Sequence, residues 1–530
     1  MLQDNLLLII SLLLVASMLA MLSHKLNISY PIILVIAGLG ISLVPGIPEI
    51  VMDPNIVFVI FLPPLLYGSA WNTSWHDFWK YRRPIGMLSF GLVIFTSFAV
   101  AIVANYMIPN FSLPLGFLLG GIISPPDAVA ATSVLQTLKL PRRVTTVLEG
   151  ESLVNDASSL IVFRFALAAI FTGKFILWKA GVDFITVVFL GIAVGLFLGF
   201  IIYSIHRWLP TTPSIDTVIT LLSPYLMYIT AEHFHASGVL AVVSGGLFLS
   251  YRSHEIFSYS SRLQVQSVWN VIIFLLNGVV FIMIGLQLPG IVRGLGEYSL
   301  RSAILYGVVI SLLTIFVRIA WVFPGAYLPR MCSKKIRTRE PNPGLKTIFI
   351  VGWSGMRGVV SLASALSIPM LLTDGTTFPH RNMILFISFV VILFTLVIQG
   401  LTLPFIIRKL DITIKENEEE QRLSIRLRLA TAVLEYITSE YAPESESIDA
   451  FSRLRARYER MVEITGKRLE QEEGEEVAPA FLPRYRQLLL ELVGIQRQEL
   501  LQMRRDNEYA EELLRNKEFE LDLEEARFRR

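Results

Sequence analysis

The chain has 530 residues, of which 53% are hydrophobic and only 17% are charged. Because a soluble protein carries about a quarter charged residues, the composition excludes an ordinary soluble domain and predicts a polytopic membrane protein. The single cysteine, Cys332, excludes an internal disulfide framework and any cysteine-rich metal or iron-sulfur cluster. Residues 1–410 hold 15 acidic and 26 basic residues, whereas residues 411–530 hold 28 and 20. The basic excess lies in loops between apolar segments and needs no nucleic acid to explain it.

Thirteen apolar segments approach the ~20 residues that a helix needs to cross a bilayer. The sequence therefore predicts an all-α polytopic membrane protein followed by a helical tail. The segment at 237–250 is short enough to be re-entrant, and residues 1–5 lack the basic residues of a cleavable signal. The segments are 6–22, 30–46, 55–71, 84–108, 115–135, 145–171, 184–205, 214–232, 237–250, 268–288, 302–323, 347–370 and 383–407.

Lysine and arginine are distributed unequally between the loops on the two sides of these segments. The loops of one side hold 18 of them, and the loops of the other side hold 5. Because positively charged loops stay in the cytoplasm, the N-terminus is predicted to lie outside and residues 411–530 inside. We therefore expect a multi-pass protein of the plasma (inner) membrane.

Three ionisable residues lie near the middle of their predicted segments. A rise of 1.5 Å per residue places Asp127 roughly 18 Å, Asp156 roughly 16 Å and Arg357 roughly 15 Å into a hydrocarbon core of about 30 Å. Each such group costs about 2.5–3.5 kcal/mol on insertion, which makes each a candidate for a functional role.

One of these segments cannot be a continuous helix at that depth, and the glycines of a second favour a break there. Two successive prolines precede Asp127, and proline lacks an N–H group and clashes with the preceding turn. Three glycines lie within residues 352–358, around Arg357. Interrupted helices in matching positions of two repeats are typical of transporters, because freed carbonyl groups and helix ends can coordinate an ion. A simple kink is the alternative, but a carboxylate at one break and an arginine at the other favour an ion site.

The segment that carries Asp156 has further polar residues at helical spacing. Ser152 lies on the same face as Asp156, and Glu151 lies with Asn155 on the neighbouring face. A hydroxyl and a carboxylate are hard oxygen ligands, which suit a monovalent cation better than zinc or copper. Glu151 needs a positive partner at this depth, and Arg357 is the expected one. For Glu151 and Arg357, a purely structural role in holding helices together stays open.

Two other polar residues of the apolar segments are interpreted as structural. Arg318 lies roughly 24 Å from the outer end of its segment, so we expect either a structural ion pair or a side chain that reaches the cytoplasmic interface. Asn277 is expected to form an interhelical hydrogen bond rather than to bind an ion.

Four motifs together resemble the cation:proton antiporter family 1, which holds the NhaP-type and NHE-type sodium/proton exchangers. The chain is most similar to the bacterial YjcE-like branch, over residues 1 to about 410. The motifs are 124–130 (SPPDAVA), 149–156 (EGESLVND), 274–285 (FLLNGVVFIMIG) and 355–361 (GMRGVVS).

The resemblance implies a role for each matching residue of the site. Asp156 would bind either Na⁺ (or Li⁺) or a proton, with Asp127 and Ser152 beside it. Asn155 would pair with the interrupted fifth segment, and Glu151 would pair with Arg357. Apart from the resemblance, we count Arg318 as a further supporting residue of the site. An asparagine where electrogenic relatives have a second aspartate implies one-for-one electroneutral exchange. No cofactor is implied besides the transported ions.

The family fold implied is a homodimer in which a core bundle moves against a dimerisation domain. Two departures from the family pattern bear on the ion site: many members have threonine in place of Pro126, and many have glutamate in place of Gly68. The implied core bundle comprises about 84–171 and 302–407, and the implied dimerisation domain comprises about 6–71 and 184–288.

Residues 411–530 form a charged tail with arginine, glutamate and leucine at helical spacing. Breaks near Pro443, Pro479 and Pro483 predict two or three long helices, one of them from about Arg484 onward. No glycine-rich nucleotide fingerprint occurs in the tail. A solvated helical hairpin that packs on itself or on its dimer mate is expected, and a regulatory or partner-binding role is the alternative.

Three other functions compete with sodium/proton exchange. A potassium/proton antiporter would have the same fold. A cation channel would also have an ion site at the membrane midplane, but it would conduct ions without coupled proton movement. An intramembrane aspartyl protease would need a Gly-x-Gly-Asp motif, which neither Asp127 nor Asp156 follows. We therefore expect a transporter and not an enzyme.

Overall fold

The chain divides into two compact units, Met1–Ile414 and Lys415–Arg530. In the part of the chain that the structure describes, all regular secondary structure is helical, and β-pairing is limited to one isolated bridge between Leu371 and Thr377. The computed structural model describes residues 2–26, 28–44, 57–135, 140–173, 177–296, 298–334, 342, 344–372, 375–410, 418–442, 448–470, 481–506 and 511–529.

Each of the thirteen predicted segments contains helix in the first unit. The short segment predicted at 237–250 corresponds to an uninterrupted helix of 19 residues, α11. The helices are α1 Leu2–Leu26, α2 Tyr30–Ser42, α3 Leu62–Asn72, α4 Trp75–Lys80, α5 Arg82–Met107, α6 Leu113–Ile123, α7 Ala128–Leu135, α8 Arg142–Thr172, α9 Leu177–Trp208, α10 Pro213–His233, α11 Gly238–Ile256, α12 Tyr259–Leu286, α13 Leu288–Gly294, α14 Leu300–Cys332, α15 Leu345–Trp353, α16 Val359–Leu366 and α17 Arg381–Leu410.

Among the described residues, six helices have the length and composition to cross a membrane. Three shorter apolar helices accompany them, at Ile10–Ser23, Tyr30–Ser42 and Leu113–Ile123. The total of thirteen crossings stays a prediction. The six are Arg82–Met107, Arg142–Thr172, Gly181–Trp208, Tyr259–Gly294, Leu300–Cys332 and Arg381–Leu410.

The two predicted helix interruptions are confirmed. Helix α6 ends at Ile123 and α7 begins at Ala128, so the two prolines lie in the gap between them. Helix α15 ends at Trp353 and α16 begins at Val359. Because the chain leaves and re-enters helix at both places, each break presents a helix C-terminus and a helix N-terminus inside the bundle.

Two neighbouring helices are wound irregularly beside these breaks. Helix α5 contains a π-helical stretch at Met87–Leu92, and α17 contains one at Thr395–Gln399. The hydroxyl of Ser89 donates to the carbonyl of Glu151 at 3.0 Å, so the first π-helical stretch is tied to α8. Such local widening is frequent at functional sites, and here the second stretch contacts a break, since Oγ1 of Thr395 accepts from the N–H of Arg357 at 3.1 Å.

The buried apolar side chains form two clusters. The larger includes Leu118 of α6, Ile310 of α14 and Ile384 of α17, whereas the smaller includes Tyr67 of α3 and Val242 of α11. Helix α8 contributes to both clusters. Helices α2 and α12, which belong to the predicted dimerisation domain, also pack into the larger cluster. The two clusters therefore do not divide the helices in the same way as the predicted core bundle and dimerisation domain.

The second unit has four helices within its described residues, where the sequence predicted two or three. The first two helices are packed together, as are the last two. Pro483 lies in the first turn of its helix and does not break it, because the N–H groups of that turn have no intrahelical acceptor. The helices are α18 Glu418–Glu440, α19 Asp449–Glu470, α20 Phe481–Asp506 and α21 Glu511–Arg529.

Candidate functional site

The two helix interruptions cross and satisfy each other's backbone groups. The backbone N–H of Asp127 donates to the carbonyl of Met356 at 2.7 Å. In the opposite direction, Nε of Arg357 donates to the carbonyl of Ile123, the last residue of α6, at 2.9 Å. Irregular backbone is tolerated at membrane depth only where such partners exist, so the crossing explains how both breaks persist.

Asn155 of helix α8 also contacts the place where the two breaks cross. Its amide nitrogen donates to the carbonyl of Pro126 at 3.0 Å, which is the pairing with the interrupted fifth segment that the resemblance implied. Because α8 is continuous, this bond holds the break at a fixed height beside Asp156.

Arg357 is fully buried and is committed to backbone carbonyls. Besides Ile123, it donates through its guanidinium to the carbonyl of Gly355, and its own N–H donates to Oγ1 of Thr395 at 3.1 Å. Its positive charge therefore lies at the C-terminal end of α6, where the helix dipole is negative.

The expected pair between Glu151 and Arg357 is wrong, because Glu151 pairs with Arg318. The two nitrogens of Arg318 donate to the two carboxylate oxygens of Glu151 at 2.5 and 2.8 Å, and its Nε donates to the carbonyl of Val351 at 3.2 Å. Both side chains are 1% exposed or less, so Arg318 does not reach the interface, and the structural-pair alternative is the correct one. The fork geometry matches carboxylate, which makes arginine the fitting partner for a buried acid.

Asp127 lies where two helix N-termini converge. Its Oδ1 accepts from the N–H of Val129 at 2.8 Å, and the N–H groups of Ala130 and Val359 also lie close to this carboxylate. Val129 and Ala130 belong to the first turn of α7, and Val359 begins α16. Helix N-termini favour negative charge, so backbone dipoles rather than an arginine stabilise this carboxylate.

Gly358 makes this convergence possible, and its replacement gives a direct test. A Cβ atom there would overlap the Asp127 carboxylate. We expect Gly358→Ala to displace that carboxylate, to lower the stability by about 1–3 kcal/mol and to impair transport strongly. Gly86→Ala is the control, because a Cβ there meets nothing within 4 Å. Wild-type flux and an unchanged unfolding midpoint in Gly358→Ala would contradict this geometry.

The three predicted ion-binding residues line one cavity of about 60 Å³. Asp127 comes from the first break, and Ser152 and Asp156 come from successive turns of α8. Asp156 is only 7% exposed. A single water needs a cavity of about 10–15 Å³, so this cavity has room for an ion that keeps a few waters.

Besides Ser69 of α3, two further polar side chains line this cavity that were not predicted as site residues. Ser361 lies in α16, and Asn277 lies in α12 and is 2% exposed. Within the described residues, neither Oγ of Ser361 nor Nδ2 of Asn277 has a hydrogen-bond partner. The only sequence signal for Asn277 was a lone amide in an apolar helix, which more often indicates a contact between helices.

Gly68, one of the two departures from the family pattern, lies against α12 and does not line the cavity. A Cβ there would meet the side chain of Ile273. Its neighbour Ser69 lines the cavity instead.

Counted with every group ionised, the buried groups around the breaks have a net charge of −1. Three carboxylates, those of Asp127, Glu151 and Asp156, stand against the guanidinium groups of Arg318 and Arg357. Because Arg318 is engaged by Glu151 and Arg357 by carbonyls, the excess charge lies at the two aspartates. Uncompensated charge is costly at this depth, so the site favours one monovalent cation or one proton.

Comparison with known proteins gives the following relatives. The family model described as "Sodium/hydrogen exchanger, transmembrane" matches residues 9–409. A protein of Bacillus pumilus named "Sodium, potassium, lithium and rubidium/H(+) antiporter" is 35% identical over 393 residues, which are 72% of this chain and 58% of that protein. The "Uncharacterized Na(+)/H(+) exchanger YjcE" of Escherichia coli is 31% identical over 416 residues, which are 75% of this chain and 74% of that protein. The chain thus spans a little over half the length of the Bacillus relative.

One solved structure shares the architecture. The sodium proton antiporter MjNhaP1 from Methanocaldococcus jannaschii aligns with a TM-score of 0.61 at 20% identity, covering 77% of this chain and 99% of the other. At this level of identity, the likeness shows a common fold.

Proposed function

Because the chain belongs to the sodium/hydrogen exchanger family, we propose that it exchanges Na⁺ or Li⁺ for H⁺ across the plasma membrane as a secondary active transporter. The observation that carries the proposal is the single uncompensated negative charge at Asp127 and Asp156, beside Ser152, in one buried cavity. A transporter of this kind serves pH and sodium homeostasis.

The chemistry of the cycle follows from competition for one carboxylate group. A cation bound at Asp156, with Asp127 and the hydroxyl of Ser152 as further oxygen ligands, must leave before a proton neutralises the site. Either a bound cation or a bound proton removes the excess charge. The loaded site can therefore change from one side of the membrane to the other at low energetic cost, whereas the empty, charged site cannot. This difference in energetic cost couples the cation flux to the proton flux without any covalent step.

The stoichiometry proposed is one cation for one proton. Asn155 is neutral and is engaged with the carbonyl of Pro126, so it adds no second titrating charge. The cluster therefore carries the same total charge in both half-cycles.

The movement proposed is of the elevator type, in which the core bundle slides along the dimerisation domain of a homodimer. The cavity supports this because residues of both predicted groups line it, with Leu66 and Asn277 on one side and Asp156 on the other. Residues 411–530 are proposed to lie in the cytoplasm, as the distribution of basic loops predicts.

Potassium/proton exchange is the second candidate. It is favoured by the Bacillus pumilus relative, whose name includes potassium and rubidium as well as sodium and lithium. The cavity has a volume of about 60 Å³, so we expect the selectivity among these ions to depend on how many waters each ion retains.

Dye-reported proton flux in everted vesicles tests the proposal. Adding Na⁺ or Li⁺ is expected to drive proton movement, and the half-saturating cation concentration is expected to rise as the pH falls, because protons and cations compete for the same carboxylate. Addition of K⁺ decides the second candidate. Cation entry without proton movement would indicate a channel, and a half-saturating concentration that is constant with pH would refute the shared site.

A further inference from the structure

Asn277 is a polar group of the ion cavity that the mechanism above does not use. Its helix, α12, is separate from the two broken helices and from α8, which carry the predicted ligands. Its side chain is 2% exposed and lines the cavity together with Asp127 and Asp156. Asn277 therefore approaches the two aspartates from the opposite group of helices.

The amide of Asn277 is only partly satisfied by the protein. Tyr30 of α2 lies beside it. Its Nδ2 has no partner within the described residues. Leaving a buried polar group unpaired is unfavourable, and an amide turned into a lined cavity can be satisfied by the contents of that cavity.

An asparagine amide can serve both states of such a site. It has two N–H donors and one carbonyl acceptor, and a half-turn about its terminal torsion exchanges the oxygen and the nitrogen. Towards the empty, negatively charged aspartates it can present N–H groups. Towards a bound cation or its water it can present a carbonyl oxygen, which is a hard ligand.

We propose that Asn277 is a further ion-contacting residue, whose amide oxygen contacts the bound monovalent cation or one of its waters. This inference rests on the proposed antiport function and deepens it. Because α12 belongs to the predicted dimerisation domain, the contact also links the ion to the part of the protein against which the core is proposed to move.

The test compares two asparagines of the same helix. Asn277→Ala removes the amide from the cavity, whereas the control Asn270→Ala, two turns earlier, removes an exposed amide whose oxygen accepts from Gln266 at 3.4 Å. In proteoliposomes, Asn277→Ala is expected to raise the half-saturating Na⁺ concentration about tenfold while the maximal flux is kept, and to alter the ratio of half-saturating concentrations for Na⁺, Li⁺ and K⁺. Asn270→Ala is expected to match the wild type.

A second variant keeps the inference testable if Asn277→Ala fails to fold. Asn277→Asp keeps the shape but adds a carboxylate that faces the ion, so its cation-driven proton flux should become sensitive to membrane potential. A flux in Asn277→Asp that stays insensitive to potential, or Asn277→Ala with wild-type half-saturation for all three cations, would overturn the inference. Absence of cation-driven flux in the wild type and in Asn270→Ala would instead refute the proposed function.

Discussion

Replacement of Asp156 by asparagine is expected to reduce cation-driven proton flux to the level of empty vesicles, with the protein still folded and inserted. The substitution keeps the shape of a side chain that is 7% exposed, but it removes the charge for which cation and proton compete. Loss of a buried charge makes insertion easier, by an amount of about 2.5–3.5 kcal/mol on insertion scales, so the defect should be functional. Asp127→Asn is expected to do the same, because its carboxylate faces the same cavity.

Glu232→Gln provides the control for these variants. Glu232 forms an ion pair at 2.8 Å with Arg164, but both side chains are partly exposed, at 32% and 48%. Its loss should cost about 1 kcal/mol or less and leave the flux unchanged. Vesicles in which Asp156→Asn exchanges ions at the wild-type rate would remove Asp156 from the site.

Replacement of Arg318 by alanine is expected to cause the largest loss of stability. It leaves Glu151 charged and buried without its partner, and breaking such a pair costs about 3–5 kcal/mol. The unfolding midpoint in detergent should fall sharply, and the amount of folded protein in the membrane should fall with it. The double variant Glu151→Gln/Arg318→Met should recover much of the loss, because no buried charge is left unpaired.

Arg164→Ala is the matched control for this second comparison. It breaks an arginine–glutamate pair of similar length at an exposed position, where about 1 kcal/mol or less is expected. A double variant no more stable than Arg318→Ala would show that the pair contributes through something other than its buried charge.

The breaks and their aspartates were predictable because local chemistry and simple counting determine them. Two prolines cannot continue a helix wherever they lie, and a constant rise per residue gives the depth of Asp127 and Asp156. The family resemblance inferred from the four motifs, including its YjcE-like branch, is confirmed by the match over residues 9–409 and by the Escherichia coli relative.

The contacts between helices were not predictable in the same way. Glu151 had two candidate arginines, Arg357 near the midplane and Arg318 nearer the cytoplasmic end, and the one that it meets depends on the rotation of α14 about its axis and on its neighbours. The position of Asn277 at the cavity was not predictable for a related reason, since it follows from how α12 packs against α2 and α16. Helical periodicity gives the face of a residue on its own helix but not the helix that this face meets.

One carboxylate cluster with a single excess negative charge is proposed to exchange one monovalent cation for one proton. Sodium-driven proton flux in proteoliposomes, measured with and without a potential set by potassium and valinomycin, tests it most directly. We expect the same flux at every imposed potential, because each half-cycle carries equal charge. Movement of a net charge would instead couple turnover to the membrane potential at about 2.3 kcal/mol per 100 mV. A flux that rises or falls steadily with the imposed potential would contradict it.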